Sequence, residues 1–448
     1  MTGKPQMLKT PIVMTIAGSD SGGGAGIAAD LKTFAAFGVH GTCAITSVTA
    51  QNTTGVLNTF DLVPEAVAGQ VEAVCNDMDI KWAKTGMLAS SEIVKEVAKQ
   101  IKKHSLSIVL DPVMAAEAGG DLLRKEALSV LIDELLPLCK VTTPNASEAS
   151  ALAGIPVKTH EDAKLAARKI ADLGVEAVIV TGGHIDATDL LYESDSDTFT
   201  RISGTFVRGG THGSGCTYSA SVAACLAWGN SLDAASRKAK AFVEQAIMRS
   251  IPVGKGVGPV NPLGETLEKK ERYLVLQDVK KAVSILTDNP EFAELIPEAG
   301  CNIAMAIPGA RSYDDIAAIE GGIVRYRGKA NPSGCVNFGA SRHIAGIIFA
   351  ALREKPDFRA ALNLKYSEEI LEACRKMGLE ISSFYRAEEP GDINIMDWET
   401  SKAIKKYGGM PEVIYDRGGI GKEPMIRLLG TDVLELAKLA VKLARKVK

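Results

Sequence analysis

The stretch IVMTIAGSDSGGGAGIAADLKTF, residues 12–34, constrains the first half of the chain more than any other. Six apolar or β-branched residues give a strand signal that stops at Gly18. A loop with five glycines in nine positions follows, and from Gly26 the pattern turns helical. This sequence of strand, loop and helix then recurs. Apolar runs at 12–17, 39–49, 108–111, 140–144 and 177–181 alternate with helical patterns such as 92–103 and 161–173. The rhythm predicts an α/β fold, a mostly parallel sheet flanked by helices. Ligands in such folds bind beyond the carboxyl ends of the strands, so the loops that follow strands are where chemistry is expected.

At 448 residues the chain is too long for one ordinary core, and two domains are expected. The Gly/Pro-rich segment VGKGVGPVNPLG (253–264) sets their boundary, giving 1–265 and 266–448. The second part is again α/β, with strand signals at 302–307, 323–327, 380–385 and 412–415 and helical ones at 341–353, 367–377 and 432–446. A net charge of −3 gives no reason to expect nucleic acid or an anionic membrane as partner. No apolar run reaches the length of a membrane span, and 12–17 is too short for a secretory signal. The eight cysteines form no C-x-x-C pair. Zinc and thioredoxin-like readings therefore fail, and a cytoplasmic protein is expected. Homo-oligomerisation stays open.

Several loops carry candidate chemistry. Gly24–Ala29 mimics a dinucleotide fingerprint, but no acid occurs from Leu31 to Phe60 to hold a ribose, and no Gly-Lys-Ser/Thr follows. The glycines either connect strand to helix or admit a ligand close to the backbone. In TAQNT (49–53), the Gln51 amide offers a donor and an acceptor together, which suits the edge of an aminopyrimidine-like ring. Asn52 is a natural turn former. Asp111 stands just past a strand in LDPVM (110–114). Asn145 and Glu148 in TPNASEA (143–149) share a helix face. They suit Mg²⁺ and phosphate oxygens, or a capping box, and the two roles are compatible.

In THGSGCT (211–217), Gly213, Ser214 and Gly215 open a helix, where backbone N–H groups favour an anion and a transferring phosphoryl group. The same field is expected to lower the Cys216 thiol toward thiolate character near neutrality, as a base or hydrogen-bond acceptor. The other reading is a buried structural cysteine.

In order along residues 10–262, the motifs AGSDSGGGAGIAADLKTF, TAQNT, TGMLA (85–89), LDPVM, TPNASEA, TGGH (181–184), HGSGCT and GKGVGP (254–259) resemble those of the hydroxymethylpyrimidine/phosphomethylpyrimidine kinase family, within the ribokinase-like fold. The resemblance implies ATP-dependent, Mg²⁺-assisted phosphorylation of a hydroxymethylpyrimidine, and then of its monophosphate, to the diphosphate used to build thiamine. It implies that Gln51 reads the aminopyrimidine and that Gly18, Asp30 and Met87 help wall the pocket. Cys216 would be catalytic in its Gly213–Ser214–Gly215 loop, where the family uses cysteine. Asp111, Asn145 and Glu148 would manage phosphate, with Asp111 and Glu148 on the metal. Two residues depart from the family pattern. Ala28 stands where many members have glutamine. Thr181 stands where many have lysine before Gly-Gly-His, which leaves a phosphate contact to some other cation.

Beyond the boundary, cations cluster in three glycine-containing loops. Arg325, Arg327 and Lys329 alternate along IVRYRGKANPSG (323–334), and alternate strand residues share a face. Arg342 and His343 stand at a helix start in FGASRHIAG (338–346), and Arg417 and Lys422 lie in YDRGGIGKEP (415–424). An anion site built from Arg325, Arg327, Arg342, His343 and Lys422 is expected. AIPGARSYDDIAAIEGGIVR, the SRH segment and GGIGKEP resemble the archaeal-type thiamine-phosphate synthase domain, often fused to this kinase. That implies condensation of the pyrimidine diphosphate with a thiazole phosphate, releasing pyrophosphate. The competing readings are a pyridoxal-type kinase, and a kinase with a C-terminal ligand-sensing domain.

Overall fold

The computed structural model describes residues 9–115, 122–183, 186–385, 395–419 and 421–447. It divides into two compact units, Met1–Thr266 and Leu267–Lys448.

In the first unit the strands are β1 (Ile12–Ala17), β2 (His40–Ile45), β3 (Ser47–Asn52), β4 (Gly55–Asp61), β5 (Trp82–Thr85), β6 (Ser107–Leu110), β7 (Val141–Thr142), β8 (Ala177–Val180), β9 (Asp189–Glu193) and β10 (Thr198–Ile202). Eight of them form one sheet in the order β10-β9-β8-β7-β6-β5-β1-β2. Pairing from β2 through β8 is parallel, and β9 and β10 continue it antiparallel. Helices cover both faces. Val67 and Val71, Ile93 to Ile101 and Ala163 to Ile170 pack on one side. Phe34, Tyr218 to Ala224 and Val243 pack on the other. A sheet buried on both faces needs unbroken apolar strands, which is why β6 and β8 read so clearly in the sequence.

The apolar run at 39–49 is not one strand. It breaks at Thr46, whose N–H donates to Ala17. β2 stays in the main sheet, while β3 leaves it and pairs with β4 as a separate antiparallel ribbon. That ribbon carries Gln51. β5 has no counterpart among the predicted strands. It is four residues long, and a buried lysine, Lys84, interrupts its apolar pattern.

The second unit has β11 (Ile303–Ala306), β12 (Ile316–Ile319), β13 (Ile323–Tyr326), β14 (Lys329–Pro332), β15 (Val336–Phe338), β16 (Ala360–Lys365), β17 (Ile381–Ser383), β18 (Val413–Tyr415) and β19 (Met425–Gly430). Seven form a sheet in the order β15-β12-β11-β16-β19-β18-β17. Only β17 and β18 pair in parallel. Helices Glu368–Lys376 and Val433–Lys446 fill one face, and Arg342–Glu354 and Ile395–Tyr407 the other. β13 and β14 make a separate hairpin.

Candidate active sites

At the carboxyl ends of β1, β5 and β6 the chain continues into Gly18, Gly86 and Asp111. Beneath them lies an ion cluster centred on Lys84. Its ammonium sits 3.1 and 3.0 Å from the two Asp30 oxygens and 3.5 Å from Asp111. The Thr15 hydroxyl donates to Asp30 at 2.6 Å, and the Ser219 hydroxyl to Asp111 at 3.1 Å. Burial works against the lysine charge, but Asp30, Cys216 and Asp111 outweigh it and raise its pKa. Burial pushes the Asp30 carboxyl up, with Lys84 pulling the other way.

Lys84, Gly18, Asp20, Gln51, Met87 and Cys216 line one cleft. This gathers Gly18, Gln51, Met87 and Cys216 as expected from the sequence. Asp30 is the correction. It is fully buried under the cleft and walls nothing; its partner is Lys84, which does reach the cleft.

The glycine loop is organised by its own aspartate. Asp20 accepts the N–H groups of Gly22, Gly24 and Ala25 at 2.8–2.9 Å, and His212 Nε2 lies 2.9 Å away. Burial alone would raise Asp20; the hydrogen bonds from His212, Ala25 and Gly22 outweigh it and hold the carboxyl below its ordinary value. These N–H groups therefore serve the loop. The glycines are needed because two loops meet backbone to backbone. A Cβ on Gly213, where φ is +83°, would stand 1.9 Å from the Gly24 carbonyl oxygen.

Gly213 caps the helix Ser214–Ala227. The Ser214 N–H donates to Thr211, while those of Gly215 and Cys216 fall in the first turn, where no carbonyl of the same helix can accept. Ser214 and Gly215 line a second cavity of about 300 Å³ with Thr181, Gly183, Asp189, Tyr218 and Lys240. One helix start is thus shared by two cavities, with Cys216 facing the other. Lys240 donates to Asp189 at 2.9 Å on the wall that holds Thr181. His184 lies outside the described residues.

Burial opposes the expected thiolate. Burial pushes the Cys216 thiol up to about 12, against the opposing pull of Lys84 and the Gly26 N–H. A helix start favours the anion, but the sulfur is partly buried in the wall of the cleft, and desolvation is the larger effect.

Asn145 and Glu148 do form the capping box. Asn145 accepts the N–H groups of Ser147 and Glu148, and Glu148 accepts that of Asn145 at 2.9 Å. Burial, with the adjacent Asp111 charge, raises the Glu148 pKa to about 8. The unfolded chain ionises near 4.5, so between about pH 4.5 and 8 the native state holds a proton that the unfolded state has lost. Stability from this group is complete below 4.5 and declines as pH rises to 8. Without divalent cation, the melting temperature of the parent is expected to fall relative to Glu148→Gln across that window; a constant difference would place the Glu148 pKa in the ordinary range.

In the second unit, Cys301, Asn302, Gly321, Gly322, Ser341, His343, Asn363 and Met425 border a cavity of about 350 Å³. Asn302 and Asn363 are locked into the sheet: Asn363 accepts the Asn302 N–H at 2.7 Å, and Asn302 bonds both ways with Ile319. Of the five residues expected to form an anion site, only His343 lines this cavity. Arg325 pairs with Glu294 at 2.6 Å. Arg327 sits at the hairpin turn with φ +51°, its guanidinium 5.2 Å from the Tyr326 ring centre. The expected alternation fails because the strand ends at Tyr326. Arg342 is exposed at its helix start, and Lys422 is bridged to Gly419 within its own loop.

Comparison with known proteins agrees with this two-part organisation. Residues 20–261 match the phosphomethylpyrimidine kinase family, and 278–442 match thiamine-phosphate synthase ThiN. The chain is 35% identical over 428 residues to the bifunctional thiamine biosynthesis protein ThiDN of Methanocaldococcus jannaschii, covering 95% of this chain and 97% of that one. The chain belongs to the bifunctional ThiDN family. Its first half is 44% identical, over 56% of this chain and 97% of the relative, to a hydroxymethylpyrimidine/phosphomethylpyrimidine kinase of Synechococcus elongatus. A solved ADP complex of Bacillus subtilis pyridoxal kinase superposes with a TM-score of 0.54 at 37% identity, over 58% of this chain and all of that one. The ThiDN family joins a phosphomethylpyrimidine kinase half to a thiamine-phosphate synthase half in thiamine biosynthesis.

Proposed function

We propose that the first unit phosphorylates a hydroxymethylpyrimidine and then its monophosphate, with ATP as donor, and that the second condenses the resulting diphosphate with a thiazole phosphate. The observation that carries the kinase reading is the helix start shared by two cavities. A nucleotide in the 300 Å³ cavity and a pyrimidine beside Gln51 and Met87 would meet at Gly215 and Cys216. Phosphoryl transfer depends mainly on positioning and charge stabilisation, which the first-turn N–H groups and the fixed Lys84 charge supply. Cys216 keeps its proton at neutral pH and orients the acceptor oxygen, because a loose transition state asks little of a base. Lys240 is the cation on the wall where Thr181 replaces lysine.

Asp111 and Glu148 fit Mg²⁺. They are hard oxygen donors that disfavour each other's charge, a conflict a divalent cation relieves. When bound there, Mg²⁺ would neutralise phosphate charge. The 350 Å³ cavity with Ser341 and His343 is the proposed synthase site.

The test is a single-pot reaction of the full chain with hydroxymethylpyrimidine, thiazole phosphate, Mg²⁺ and ATP, read by mass spectrometry. Thiamine phosphate is expected. Accumulation of the pyrimidine diphosphate would leave the kinase and make the second unit a sensor. Because a 37%-identical structure is a pyridoxal kinase, pyridoxal belongs in the same assay as a competitor, with the pyrimidine expected to have the higher kcat/KM.

A further inference from the structure

A buried charge cluster in the second unit takes no part in the chemistry above. Arg427, on β19 between β16 and β18, is fully buried. Its guanidinium donates to Asp416 at 2.7 Å and to Glu399 at 3.2 Å, and lies 5.0 Å from the Phe384 ring centre. Both carboxylates are buried as well. Clusters of this kind contribute little net stability, because desolvation offsets the attraction and apolar residues of similar volume do as well or better. Their better-attested use is to fix one geometry.

What Arg427 fixes is visible at Asp416. One carboxylate oxygen accepts from Arg427; the other accepts the Gly418 N–H at 2.8 Å and sets the turn at 416–418. Gly418 holds a φ of +76°, and the Gly419 and Lys422 backbones bond to each other at 3.1 and 3.0 Å. At the far end, the two oxygens of Glu423 accept the N–H groups of Glu298 and Ala299 at 2.9 and 3.0 Å. Ala299 and Gly300 border the 350 Å³ cavity beside His343, and so does Met425, two residues past Glu423.

We propose that Arg427 and Glu423 are positioning residues for the condensation. Arg427 acts through Asp416 and Glu423 acts directly; together they hold residues 416–419, 421–424 and 298–300 in the arrangement that shapes the cavity. The inference rests on reading this unit as the synthase and this cavity as its site.

The experiment uses the full chain, supplied with pyrimidine diphosphate and thiazole phosphate directly. Glu423→Gln turns an NH₂ toward one of the two backbone N–H groups and, at a partly exposed position, leaves the core untouched. Its kcat/KM for condensation is expected to fall about 10-fold to 10²-fold, mainly through KM, with kinase rates and melting temperature unchanged. Arg427→Met is expected to show at least a comparable loss and to melt well below the parent, because Asp416 and Glu399 stay buried without their cation. Arg427→Lys is expected not to rescue, since one ammonium does not span both carboxylates. Parental KM and kcat in Glu423→Gln would overturn the proposal, and that variant decides alone if Arg427→Met does not fold. A parent that makes no thiamine phosphate removes the synthase reading and this inference with it. An active parent with unchanged variants removes this inference only.

Discussion

Cys216→Ala is expected to lose about 10²-fold of kcat for phosphorylation, the cost of an acceptor oxygen held about 1 Å out of place, with circular dichroism unchanged. Alanine suits the first turn of a helix, and the backbone N–H groups of Gly215 and Ala at 216 stay in place. What disappears is the sulfur at the junction of the two cavities. Cys216→Ser, which restores a hydrogen-bonding atom, is expected to fall between parent and alanine. The thiol is raised to about 12, so its own ionisation is not expected to shape the pH–rate profile between 6 and 9. A profile that tracks a thiol titrating near neutrality would contradict the burial argument and restore the thiolate. Near-normal turnover in Cys216→Ala would remove the side chain from the mechanism and leave the N–H groups to act alone.

The expectation for this thiol failed where sequence reasoning is weakest. A helix start and a glycine loop are visible as residue patterns; the depth at which they are buried is not. The same limit explains Lys84. WAKTGML gave no strand prediction, because a charged residue interrupts its short apolar pattern, and only the sheet order, with β5 between β1 and β6, puts that residue at the cleft. Gly18, Gln51, Met87 and Cys216 were grouped through the family resemblance of their motifs, and the four line one cleft. The capping box of Asn145 and Glu148 was legible because it is local, contained within four residues. The second-unit cations were not, because position in a loop says little about direction. Arg325 and Arg327 turn to Glu294 and Tyr326, while the cavity beside His343 is bordered by amides and glycines from separate segments of the chain. Arg427 gave no signal at all, being one cation in an apolar strand whose partners come from elsewhere in the chain.

Lys84→Met is expected to destabilise the first unit by about 3–5 kcal/mol, the usual cost of removing one partner of a buried ion pair. The loss arises less from the missing attraction than from Asp30 and Asp111, which are left without their cation where water cannot reach. The deficit is expected to shrink at low pH, where the stranded carboxyls can take up protons. The double variant Asp30→Leu/Lys84→Met separates stability from function, because an apolar pair of similar volume removes the nearer and fully buried of the two stranded charges with the bridge, while Asp111 keeps the Ser219 hydroxyl as donor. It is expected to recover most of the melting temperature while phosphorylation stays low, since the cleft beside Cys216 has lost its fixed positive charge. Recovery of both stability and activity would reduce Lys84 to a structural bolt. Recovery of neither would mean that the pair is needed for the strand ends to close around Gly18 and Asp111, and that the cleft and the ion pair are one construction.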